Sequence, residues 1–237
     1  MPSVSDPVLR GWRAAFALLA CAALAACAAG PQRRDGPRIP ARADPSRVVA
    51  TELAFSRMAR EEGQWTAFAD YAADGAHMFV PEKVLAQEWL KGRADPAQSI
   101  SWHPHRVWSS CDGTVAVTRG AWEGPGDTHG WYSTVWKRVR DDRRGEYRFL
   151  ADLSGSLEQP LPARDMIGSD IARCGGAPGP APAAPAAPEE SGRSDDGTLY
   201  WIAGLDDAGR PQIRVWQWDG SEMAPADLSL GRGRIGL

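Results

Sequence analysis

The fold is decided by SWHPHRVWSSCDGTVAVTRGAWEGPGDTHGWYSTVWKRVRDDRRGEYRFLAD (101–152). Apolar and polar residues alternate with a period of two, the signature of strands with one buried face. Turn-forming clusters at Cys111-Asp112-Gly113, Gly124-Pro125-Gly126-Asp127 and Asp141–Glu146 cut the stretch into four strands: Ser101–Trp108, Thr114–Trp122, His129–Val139 and Tyr147–Asp152. Strict alternation in the first strand puts Trp102 and Trp108 on one face and His103 and His105 on the other.

Upstream the period lengthens to that of a helix. Asp44 is placed as an N-cap, with Pro45 at the first helical position and Val48, Phe55, Met58 and Ala59 on one face. Gly63 interrupts, and Trp65, Phe68, Ala69 and Ala72 then repeat at helical spacing. Ala76–Val80 reads as a short strand stopped by Pro81, and Val84, Leu85 and Trp89 as a further helix closed by Gly92. Helices followed by a meander of long antiparallel strands predict an α+β domain over 44–175, with helices packed on one face of a strongly curved sheet. GAPGPAPAAPAAPEE (176–190) is a low-complexity linker. Beyond it, in 191–237, Leu199–Ala203 and Ile213–Trp218 flank Asp206–Pro211 as a hairpin. A lone hairpin is marginal in water, so Trp201, Trp216 and Trp218 are expected to dock on the main domain or on a partner.

The first 26 residues are of a different kind. Arg10 and Arg13 precede the apolar run Ala14–Ala26, whose 13 residues are too few to span a bilayer but fit a signal-peptide h-region. The run ends Leu24-Ala25-Ala26-Cys27, which resembles the lipobox of bacterial lipoproteins; the rival Leu18-Leu19-Ala20-Cys21 leaves a shorter h-region and a bulky Leu19 where a small residue is needed. The resemblance implies cleavage before Cys27, acylation of that cysteine, and 27–43 as a flexible tether. Ala28 after the cysteine implies sorting to an outer membrane, with the domain facing the periplasm. Export implies an oxidising compartment, where a bridge between the remaining Cys111 and Cys174 is favoured over two unpaired buried thiols.

The net charge of −3 becomes about −4 once residues 1–26, which carry net +1, are removed. With no basic stripe, a nucleic-acid partner is excluded. No phosphate-binding glycine loop, GxSxG or HExxH occurs, and no motif calls for a cofactor.

The ordered set Gly63–Phe68, Ala72–Ala76, Gly113–Gly120 and Gly130–Trp136 resembles the nuclear transport factor 2-like superfamily, which includes SnoaL-like and ketosteroid isomerase-like proteins, over about residues 44–155. The resemblance implies a cone-shaped, cystatin-like half-barrel, a pocket between sheet and helices, and homodimers through the open sheet face. It places Phe68, Trp89, Tyr132, Thr134 and Trp136 around that pocket, as a ligand wall or simply as core. The isomerase roles fall on Val80, Ser56 and Thr134, none of which supplies the acid or base that proton abstraction needs. Isomerase chemistry is therefore rejected.

Three constellations remain. His77 and Asp152 form one conceivable acid–base pair, with His103 a further candidate, and a structural hydrogen bond is the plainer reading. His103 and His105, two apart on one strand, could both reach a metal, but a third ligand would have to come from His77 or His129. Solvated polar groups are the plainer reading there too. The sequence thus favours a membrane-tethered envelope module binding a small apolar ligand or a partner. The alternative is an envelope enzyme acting on a hydrophobic small molecule through histidine and aspartate.

Overall fold

The computed structural model describes residues 42–139, 147–180 and 190–229. The tether with Cys27, the arginine-rich tip at 140–146, most of the linker and the last eight residues lie outside them.

Helix α1 (Pro45–Glu61) starts as expected, with the Asp44 side chain accepting from the Ser46 amide. Its buried stripe is Val48, Glu52, Phe55, Ser56 and Ala59, so two polar residues sit where an apolar face is expected. Helix α2 (Gln64–Tyr71) buries Gln64, Ala67 and Phe68, while Ala69 is exposed. Asp95 reaches in from a distant loop to accept from the Trp65 and Thr66 amides at 2.5 and 3.2 Å, doing the work of the cap that Gly63 cannot provide.

Strand β1 (Ala72–Phe79) begins earlier than its sequence pattern suggests, and Lys83–Leu85 forms a short strand, β2, before helix α3 (Ala86–Leu90). The four long strands are β3 (Ser101–Ser109), β4 (Val115–Gly124), β5 (Thr128–Arg138) and β6 (Tyr147–Ser156). With β1, β2 and β7 (Gly168–Ile171) they make a seven-stranded sheet in the order β2-β1-β6-β5-β4-β3-β7. Two pairings, β1 with β6 and β3 with β7, are parallel, an addition to the expected meander.

One expectation about faces is corrected. The register of β3 against β4 shifts between Pro104 and Arg106, leaving His105 as the extra residue of a bulge. A single inserted residue reverses every later side chain, so Trp102 packs under the helices while Trp108 packs on the opposite face. Gly120 lies opposite this bulge, where the His103 carbonyl leaves no room for a Cβ.

The C-terminal segment is more than a hairpin. Strands β8 (Glu190–Arg193), β9 (Leu199–Leu205), β10 (Pro211–Trp218) and β11 (Met223–Pro225) form a second, four-stranded antiparallel sheet. Leu199, Trp201, Ala203, Ile213 and Val215 pack against Phe79, Trp108, Val117, Val135, Ala151 and Leu153 of the first sheet. The face on which the family resemblance places a dimer is therefore occupied by the chain's own strands. The first sheet is buried on both sides, by helices on one and by β8–β11 on the other. Each fully buried large apolar side chain contributes about 1.5–3 kcal/mol, which is what lifts the hairpin above marginal stability. Cys111 and Cys174 are disulfide-bonded, tying the β3–β4 turn to the chain just before the linker.

Candidate functional site

The interior of the cone, beneath the helices, is filled by rings. Phe55 has ring centroids of Phe68, Tyr71 and Trp102 within 4.7–4.8 Å. Within this apolar packing lies a buried carboxylate, Glu52. It accepts from Trp102 Nε1 at 2.7 Å, Thr118 Oγ1 at 2.5 Å and Trp136 Nε1 at 3.0 Å. Burial pushes its pKa up to about 7, against the pull of those three donors. A second carboxylate, Asp152, accepts from Thr134 Oγ1 at 2.8 Å and is likewise pushed up to about 7 by burial, with the Glu52 charge adding to the rise. Tyr132 lies in the same interior. Its hydroxyl is buried without a hydrogen-bond partner, and burial raises its pKa well above the ordinary phenol value.

The open space left here is small. Phe68, Ile100, Trp102, Trp122, Tyr132, Asp152 and Ser154 enclose about 40 Å³, room for about one or two water molecules. A larger cleft of about 440 Å³ opens beside it, bordered by Phe79, Val80, Pro81, Trp131, Gly155 and the Gly209-Arg210-Pro211 turn of the second sheet. Trp122 and Ser154 border both spaces. Two tryptophans make the cleft's aromatic walls by lying flat on glycine. A Cβ on Gly130 would sit 2.6 Å from Trp122 Nε1, and one on Gly155 would sit 2.6 Å from Trp131 Nε1. The guanidinium of Arg119 covers the Trp131 ring at 4.3 Å.

The residues singled out from sequence are dispersed. Phe68 and Tyr132 do border the interior cavity. Trp136 and Thr134 do not; they are fully buried and spend their polar atoms on Glu52 and Asp152. Trp89 sits outside the cavity, packed on Trp65 with Arg93 stacked over it at 3.4 Å. His77 points between the two sheets, where its Nδ1 lies 3.1 Å from Glu190 Oε1. It pairs in register with Ala151, a neighbour of Asp152, and adjacent strand residues face opposite sides, so no His77–Asp152 pair forms. His103 and His105 border a separate groove of about 400 Å³ beside Arg164 and Met166. Burial, with Arg164 and His103 adding, lowers the His105 pKa. Among the described residues, no group of three His, Cys, Asp or Glu side chains is placed to hold a metal. The three weak catalytic candidates thus lie in three different places.

Sequence reasoning missed Glu52. The isomerase positions Ser56 and Thr134 carry no carboxylate, yet one arrives a helical turn before Ser56 and another from the strand beside Thr134. The available signal was a glutamate at i+4 from Val48 and i−3 from Phe55, on the apolar stripe of α1.

Helices under one face of a large curved sheet define an α+β protein. Solved structures similar to it include a cystatin-like fold protein from Burkholderia xenovorans, at 14% identity over 48% of this chain and 92% of that one, with a TM-score of 0.38. Another is a candidate aromatic ring hydroxylase from Novosphingobium aromaticivorans, at 10% identity over 49% and 91% of the two chains, with a TM-score of 0.36. No protein-family model matches the chain, and no curated protein matches it in sequence.

Proposed function

We propose that this is a lipid-anchored module of the bacterial cell envelope, with a nuclear transport factor 2-like domain of the SnoaL-related kind. Its ligand is a small, largely apolar molecule held in the tryptophan cleft rather than inside the cone. The contrast of volumes carries this reading: about 440 Å³ outside against about 40 Å³ within. Ligand sites are commonly concave, apolar and aromatic-lined with a few polar groups, at about 300–1,000 Å³. Trp122, Trp131, Pro81 and Pro211 supply the apolar walls, and Ser154, Ser156 and Arg210 the polar groups. The leader ending at Cys27 supports the anchor, and the Cys111–Cys174 bridge supports an oxidising compartment. Native mass spectrometry of the purified protein tests the ligand; a retained small molecule, lost on Trp131→Ala, is expected. Recovery of Cys27→Ser protein from the soluble rather than the membrane fraction tests the anchor.

A second reading, an acid–base enzyme on a hydrophobic small molecule, rests on Asp152. A carboxyl with a pKa near 7 beside an unpartnered phenol is suited to moving a proton at neutral pH. It transfers the acid–base role from His77 and His103 to Asp152 and Tyr132. A substrate screen in which Asp152→Asn abolishes turnover while leaving ligand retention intact would favour it.

A further inference from the structure

We infer that the cleft's ligand ends in a protonated primary amine, and that this head enters the interior cavity to pair with Asp152 while the apolar body stays in the cleft. This rests on the cleft being the ligand site. The two spaces share Trp122 and Ser154 as walls. Along β6, Asp152, Ser154 and Ser156 point to one face of the sheet, because side chains alternate, and they pass from partly buried to exposed. Asp152 borders the cavity, Ser154 both spaces and Ser156 the cleft, so a polar track leads from the cleft to the carboxylate. Two residues of strand span about 7 Å, within reach of a short aminoalkyl chain lying at Ser154.

Asp152 is treated differently from carboxylates elsewhere in the chain. Asp170 is bridged to Arg106 at 2.7 Å, Asp206 to Arg210 at 2.8 Å and Glu190 to Lys83 at 2.7 Å. Glu52 has no cation, but three donors occupy its oxygens. Among the described residues the Asp152 carboxylate has one donor, Thr134 Oγ1, where a carboxylate can accept about four. The one charge acting on it is that of Glu52, which has the same sign. Among the described residues no Lys, Arg or His borders the cavity, and the one cation bordering the cleft, Arg210, is already held by Asp206. A carboxylate taken from water ordinarily has a counter-charge, and here the ligand is left to supply it. The other walls suit a cation too. Phe68, Trp102, Trp122 and Tyr132 put four aromatic side chains around the space, the surroundings in which ammonium groups are recognised. The unpartnered Tyr132 hydroxyl offers an acceptor for a second N–H. About 40 Å³ takes an ammonium and its first methylene, a group about as large as one or two waters, but not a trimethylammonium. An anion there would face Asp152 and Glu52 in a protein of net charge −3.

Four probes sharing a phenyl ring test this on the full-length protein by tryptophan fluorescence: phenethylamine, phenethyl alcohol, phenylacetate and phenethyltrimethylammonium. The measurement is made at about pH 8, where the Asp152 carboxyl, pushed up to about 7, is mostly ionised. Phenethylamine is expected to bind about tenfold or more tighter than the alcohol, with phenylacetate weakest and the trimethylammonium no tighter than the alcohol. Asp152→Asn is expected to bring the amine down to the level of the alcohol and to leave the alcohol's own binding unchanged. Equal binding of amine and alcohol, tighter binding of phenylacetate, or an amine preference unmoved in the Asn variant overturns the ammonium inference while the cleft reading stands. Trimethylammonium binding as tight as the primary amine puts the cation outside the cavity and overturns it too. If none of the four probes binds, the cleft reading fails, and this inference with it. Should Asp152→Asn not fold, Asp152→Ser carries the same comparison.

Discussion

Asp112 and Asp196 hold each other: the Asp112 amide donates to Asp196 Oδ2 at 2.9 Å, and the Asp196 amide donates to Asp112 Oδ2 at 3.1 Å. The two belong to identical turns in different sheets, Ser110-Cys111-Asp112-Gly113-Thr114 and Ser194-Asp195-Asp196-Gly197-Thr198. In each turn the serine hydroxyl donates to its aspartate at 2.7 Å. The residue between serine and aspartate donates its amide to the other turn's threonine: Cys111 to Thr198 at 2.8 Å and Asp195 to Thr114 at 3.0 Å. Two copies of Ser-x-Asp-Gly-Thr thus clasp with near two-fold symmetry, fastening the C-terminal sheet to the first.

Removing the Asp196 carboxylate takes the acceptor from the Asp112 amide across the clasp and from the Thr198 amide of its own turn. Asp196→Ala is expected to destabilise the protein by about 1–3 kcal/mol, measured by urea unfolding. A double-mutant cycle with Asp112→Ala is expected to give a coupling of about 0.5–3 kcal/mol; additive effects would show that the two turns act independently.

Reducing the bridge acts on the same junction. Cys111 and Cys174 are 63 residues apart, and closing a loop of that length removes unfolded-chain entropy equivalent to about 4 kcal/mol. Cys111→Ser with Cys174→Ser is expected to lower unfolding free energy by about that much, and reductant should do the same to the wild type.

Acid–base linkage makes the fold more stable at mildly acidic pH than at neutrality. Glu52 and Asp152 have folded pKa values raised to about 7 by burial. Between their ordinary range near 4 and pH 7 the folded state therefore binds more protons than the unfolded one, and stability falls as pH rises. Asp196 has the opposite sign: burial raises its pKa, but hydrogen bonds from Ser194 and Thr198 outweigh that and hold it below 3.8. Its contribution is lost as pH falls through the acid range. Melting temperature is expected to peak near pH 4–5. Glu52→Gln should flatten the neutral limb, at some cost because one amide oxygen cannot accept from all three donors.

Filling the space under a tryptophan platform is expected to disrupt the cleft without unfolding the cone. Gly155→Val places side-chain atoms where the Trp131 ring lies. The expected result is a shift in tryptophan emission and loss of ligand retention, with far-ultraviolet circular dichroism little changed.

Tyr132→Phe removes a buried hydroxyl that has no partner. Stability is expected to be unchanged or raised by about 1 kcal/mol, checked by thermal melting. A marked loss would mean that the hydroxyl is satisfied in solution.

Sequence by itself determined the N-cap at Asp44, the strand sequence from Ser101 to Asp152 and the α+β class, because each rests on local chemistry or on short-range periodicity. It did not determine which way β3 faces after Pro104, since one bulged residue inverts the alternation and is set by the register against Gly120. Nor did it determine the site. Glu52, Asp152, Tyr132 and the two tryptophan platforms are spread over α1, β4, β5 and β6, and the cleft's last wall comes from a turn beyond the linker. Periodicity reports which side of an element is buried. What it is buried against depends on how the two sheets close over one another, and only the tertiary structure decides that.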